Sequence, residues 1–188
     1  MRELLLACLL AVAGCQDPPA VSADEAYMRL LKACDKDDAA RLFDALDTAT
    51  QWSIESVQRD QREMRHLVLD AYPPADRDRA LARIPPSCEE PEEQARRYFR
   101  GVEGVKERLA EIRKRMYAGT GQPVGSVRGK EGEATVWREG GSVFHFARDD
   151  KGRWGWSEVR AEWEQAKLRA HHDLETVKQN AALYRGQR

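Results

Sequence analysis

The apolar residues of this 188-residue chain change their period twice. From Tyr27 to Met116 they recur every three or four positions, as on one side of an α-helix. Between 134 and 157 they alternate, as on a half-buried strand, and from Arg160 the helical recurrence returns. Strands separated by tight turns, with no helix between them, can pair only antiparallel. The pattern therefore predicts an α+β domain: N-terminal helices, an antiparallel sheet of three to four strands, and a C-terminal helix.

The helical part divides at its punctuation. Ser22 to Glu25 reads as a capping box, followed by a stripe of Tyr27, Leu30, Leu31 and Cys34. Asp37 or Asp38 caps a second helix carrying Ala39, Leu42, Phe43 and Leu46. A third begins near Thr50, carries Ile54, Val57, Gln61, Met64 and Val68, and stops before Pro73 and Pro74. Asp76 to Ile84 reads as one more short helix. Pro91 fits the first position of a longer helix that runs to about Tyr117, with Ile112 and Met116 on its buried side. Strands are expected around Val124–Arg128, Ala134–Arg138, Val143–Arg148 and Arg153–Ser157. The last helix puts Trp163, Ala166, Ala170, Leu174, Val177 and Ala181 on one side.

The first residues read as an address. Leu4 to Ala13 is a ten-residue apolar run, about 15 Å long as a helix and too short for a hydrocarbon core of about 30 Å. It fits the apolar region of a signal peptide. Ala11, Val12 and Ala13 form a small-x-small site for ordinary cleavage before Gly14, while Val12-Ala13-Gly14-Cys15 resembles the lipobox of bacterial lipoproteins. That resemblance implies acylation of Cys15, cleavage before it, and usually a third acyl chain on its freed amino group. Cysteine arithmetic favours it: Cys8 leaves with the leader, Cys15 takes lipid, and Cys34 and Cys88 remain to pair. The resulting division is a signal peptide at 1–14, a tether at 15–21 and a single α+β domain at 22–188. Gln16, where an aspartate would favour inner-membrane retention, makes the outer membrane the expected address by the same resemblance.

Within the domain, "EAYMRLLKACDKDDAARLFDAL" (25–46) and "GEATVWREGGSVFHFARDDKGRWGW" (132–156) resemble the secreted or lipoprotein branch of the NTF2-like superfamily. The resemblance implies a curved, cystatin-like sheet wrapped round its helices as a cone that often holds a ligand. The helical segment from Asp76 to Tyr117 and the helix beyond Arg160 depart from that pattern. The last helix would either fill the mouth of the cone or lie outside it, and an exposed stripe at Trp163, Leu174 and Val177 would mark it as a docking surface.

The chain offers few groups for chemistry. Cys34 and Cys88 suit a disulfide in an oxidising compartment, closing a loop of about 54 residues and stabilising by roughly 4 kcal/mol, with two buried thiols too far apart to join as the alternative. His145 stands on a strand with Val143 and Ala147, opposite Phe144 and Phe146. It is the one weak candidate for a general base, against the plainer reading of a solvent-facing sheet histidine. Trp137, Trp154 and Trp156 read as core, with ligand stacking as the alternative. His171 and His172 are adjacent on a helix and point apart, and no metal-ligand or phosphate-loop spacing is present, so no metal or cofactor is expected. Arg113 to Arg115 and Arg96 with Arg97 read as solvated helix faces. Thirty-one basic against 32 acidic residues argue against a nucleic-acid partner. The expectation is a membrane-anchored cell-envelope lipoprotein whose domain binds an envelope protein or a small apolar ligand. The alternative is an NTF2-like enzyme using His145.

Overall fold

The computed structural model describes residues 19–36, 38–85, 106–117, 123–138 and 141–186. Cys8, Cys15, Cys88, Arg96, Arg97 and the expected helical start at Pro91 lie outside them. The elements follow the order α1 (Ala23–Lys36), α2 (Ala39–Ala45), α3 (Thr48–Ala71), α4 (Pro74–Leu81), α5 (Lys106–Tyr117), β1 (Pro123–Arg128), β2 (Glu133–Arg138), β3 (Val143–Arg148), β4 (Trp154–Trp156) and α6 (Arg160–Gly186). The chain is α+β, with one antiparallel sheet of order β1-β2-β3-β4.

Helix α1 starts as the sequence predicts. The Ser22 hydroxyl accepts the Glu25 N–H, and the Glu25 carboxylate reaches back to the Val21 N–H. That bond, with the Arg29 side chain beside it, holds the Glu25 carboxyl below the usual carboxylate range. The stripe of α1 lies across one face of the sheet. Tyr27 meets Phe144 and Phe146 at ring separations of 5.4 and 6.4 Å. Leu30, Leu42, Val136 and Trp156 close the same core, all essentially inaccessible to water. Ile112 and Met116 of α5 complete it, as their spacing predicts.

Strand β4 would be a bare edge, but the chain closes it. The Ala20 carbonyl accepts the Trp154 N–H, and the Asp47 N–H donates to the Trp156 carbonyl beside a parallel bridge from Leu46. Backbone groups that would invite another chain are thereby satisfied internally. Ala20 is buried, so the chain is held by the fold two residues before the expected domain start at residue 22.

The turn before β4 is tied to the start of α3. Asp149 accepts the Arg153 N–H and guanidinium, the Lys151 N–H and the Thr48 hydroxyl. Burial pushes its carboxyl up, but the bonds from Arg153 and Thr48 outweigh that and bring it down from 3.8 to about 2. A lowered folded-state value stabilises the fold above the ordinary carboxylate range and is lost as the pH falls towards about 2. Asp149→Asn should therefore cost about 1–2 kcal/mol at neutral pH. In thermal unfolding across the pH range, the gap to the wild type should narrow between about pH 4 and pH 2.

The two long helices form a parallel pair. Thr50, Ser53, Val57, Gln61, Met64, Val68 and Ala71 of α3 lie buried against Trp163, Ala166, Ala170, Leu174, Val177, Ala181 and Tyr184 of α6, in an identical succession of three- and four-residue steps. Asp47 meets Arg160 at the near end, Glu63 meets Lys178 midway, and Tyr72 meets Tyr184 at the far end. The stripe through Trp163, Leu174 and Val177 is therefore not an exposed docking surface. It is covered by α3, because two incomplete apolar faces of matching step bury one another. Helix α6 lies against α3, outside the sheet.

Candidate functional site

The residues singled out by sequence do not converge. His145 projects from the sheet face opposite the core, exposed, with its Nδ1 3.4 Å from the hydroxyl of Thr135, its partner across β2 and β3. A carboxylate is nearby, but it is engaged elsewhere. Glu158 accepts the His145 backbone N–H and holds the Arg115 guanidinium in two bonds of 2.8 and 3.1 Å. Arg115 also bonds the Val143 carbonyl and lies 4.5 Å over the Phe144 ring. The Arg113–Arg115 run is thus more than a solvated face, since Arg113 reaches across to the Cys34 carbonyl. Both arginines fasten α5 to the rest of the fold.

The three sheet tryptophans are not one cluster. Trp156 pairs with Phe146 on the core face and is 1% exposed, and Trp154 is partly buried against the same core. Trp137 pairs with Val143 on the opposite face and is 37% exposed. Parity within one strand is legible in sequence, but parity between strands depends on the register. Cys34 is fully buried at the end of α1, and its expected partner lies outside the described residues. His171 and His172 are exposed on α6. Among the described residues no group of three or more His, Cys, Asp and Glu side chains is placed to hold a metal, and no helix is long and apolar enough to cross a membrane.

The face of the sheet on which α1 lies is filled by Tyr27, Phe144, Phe146 and Trp156. An open, partly apolar space lies instead at the far end of the helix pair. Pro73 and Pro74 end α3 and start α4 at its first position. The chain then doubles back, and Arg65 of α3 holds the Ile84 carbonyl at 3.1 Å. Between α3, α4 and α6 this leaves a cavity of about 360 Å³. Met64, Ile84, Val177 and the Tyr72 and Tyr184 rings form its apolar wall. Asp76, Arg79, Arg83 and Asp173 stand around it with both signs of charge. The Tyr184 hydroxyl donates to Asp76 at 3.0 Å, which holds the phenol proton on and raises its ionisation above the ordinary range. The two rings lie 4.8 Å apart and fix the floor.

Sequence reasoning missed this site. Met64 and Val177 were legible as stripe residues, but the spacing of each helix does not say that α6 runs beside α3. The signal available was the shared step pattern of the two stripes. Comparison with known protein families, curated proteins and solved structures finds no match to this chain.

Proposed function

We propose that this chain is a cell-envelope lipoprotein, anchored through acylated Cys15, whose domain binds a small, largely apolar ligand without transforming it. The observation that carries the binding role is the far-end cavity, with apolar walls and a rim of both charges. Pockets of this size and character, formed between packed helices, suit small-molecule ligands. The filled face between α1 and the sheet supports a site outside the cone, and the packing of α1 across an antiparallel meander supports the NTF2-like resemblance. The lipobox, the outer-membrane address and a Cys34–Cys88 disulfide belong to the same reading, supported by the sequence.

A neutral apolar probe, N-phenyl-1-naphthylamine, tests the binding role through its fluorescence gain. The protein should bind it, and Asn180→Trp, an exposed α6 position lining the cavity, should weaken binding about tenfold, a loss of about 1.4 kcal/mol. Its melting temperature should stay unchanged. Absence of binding, or equal binding by the variant, would overturn the cavity as the site.

A further inference from the structure

We infer that one side of α3, beginning beside the membrane attachment point, is a second contact with the bilayer and lies against anionic lipid headgroups. The inference rests on the anchoring of Cys15 proposed above. Four residues lie between Cys15 and Ala20, five residue steps in all, and the Ala20 carbonyl is bonded to β4. Even fully extended, that link spans no more than about 18 Å. The domain is therefore held close to the surface, by the part of the fold that contains Ala20.

That part contains the start of α3. Pro19 and Ala20 border one cavity together with Thr48 and Gln51. One helical turn beyond Thr48, on the same side, stands Trp52, 67% exposed. Trp52 then shares an open groove of about 590 Å³ with Arg59, Arg62 and Lys167. Arg59 is turned partly to Asp60, at 3.3 Å, and Glu55 supplies one opposing charge. Among the described residues Arg62 and Lys167 form no ion pair, and both are exposed. Val21, directly after the bonded Ala20, is 78% exposed.

An exposed indole suits the headgroup level of a bilayer, where its ring is apolar and its N–H wet. Lysine and arginine near an anionic surface each contribute attraction that salt screens. The stripe from Thr48 to Arg62 is about 21 Å long and starts where the tether arrives, so anchor and cations can engage one surface together. Acyl chains with a basic patch form the familiar two-signal attachment.

The experiment uses acylated protein from its host, reconstituted into vesicles with brominated phosphatidylglycerol. Tryptophan emission should be quenched on these vesicles. Trp52→Phe should remove a large share of the quenching, and so should Arg62→Glu with Lys167→Glu, while both variants still float with phosphatidylcholine vesicles in about 0.5 M salt. Quenching undiminished in the charge-reversed protein overturns the surface, whatever Cys15 carries. Failure to float in salt, with an unmodified mass at Cys15, overturns the anchor instead. The surface is then decided by flotation of the unacylated chain with phosphatidylglycerol vesicles at low salt. Binding there that weakens about tenfold or more on charge reversal sustains it, and no binding overturns it. Binding to polyglutamate with none to vesicles reassigns the face to an acidic protein and overturns the lipid contact.

Discussion

Gly155→Ala should leave the protein unable to fold stably, with a loss above about 3 kcal/mol. A Cβ at this position would lie 2.4 Å from the Asp47 Cα, the Asp47 nitrogen and the Leu46 carbonyl oxygen. All three are backbone atoms, so no side chain can turn aside to make room. The only relief is to move residues 46–47 away from β4. That would break the Asp47 N–H bond to Trp156 and lift the strand that buries Trp156 in the core. The backbone here is not in the left-handed region, so the demand for glycine comes from close approach alone. Denaturant unfolding of the soluble fraction measures the effect, and a variant with the wild-type midpoint would contradict the packing of β4 against residues 46–47.

The second large effect is expected at Asp47. Its carboxylate accepts the N–H groups of Ala49 and Thr50, the Thr50 hydroxyl at 2.6 Å and the Arg160 guanidinium at 3.0 Å, while only 4% exposed. One side chain therefore caps α3 and fixes the first residue of α6 beside it. Asp47→Ala removes the cap, worth about 1 kcal/mol, leaves the buried Thr50 hydroxyl without its acceptor and loses the charge-assisted bond to the part-exposed Arg160, for a total of about 3 kcal/mol. For a domain of this size the melting temperature should fall by about 10 °C. Asp47→Asn keeps the helix cap and loses the charge facing Arg160, so it should lose about a third as much. Equal losses in the two variants would show that the ion pair with Arg160, rather than the cap, dominates.

Much of the architecture was legible because it depends on local period. The stripes of α1, α3 and α6, the strand positions and the Pro73–Pro74 boundary all follow from the spacing of apolar residues and from punctuation. What depended on partners was not legible. Trp137 and Trp156 were grouped because both sit on strands, but only the register separates their faces. Arg115 looked like a surface cation because nothing local announces Glu158, 43 residues away. Gly155 carries no signal of its own between two tryptophans, since close backbone approach leaves no trace in composition. Of the candidate site, sequence supplied Met64 and Val177 as buried positions, but the cavity they border exists only once α4 turns back beside α3. His145 shows the converse: a chemically suggestive residue whose exposed ring lies beside Thr135, while the nearby Glu158 carboxylate is engaged by the His145 backbone N–H and by Arg115.

The separation of Asp47 from Arg160 along the chain, 113 residues, sets an order on biosynthesis. At about 5–20 residues per second, α3 is complete at Ala71 about 4–18 s before α6 begins at Arg160. Throughout that interval one flank of a 24-residue helix has no cover. A continuous leucine face would invite aggregation during the wait. The exposed flank instead carries Thr50, Ser53 and Gln61 among its aliphatic positions, with Gln58 and Asp60 beside them. These groups make the uncovered flank less apolar than a leucine face until the last helix closes it, and the Thr50 and Ser53 hydroxyls find partners within residues 47–53.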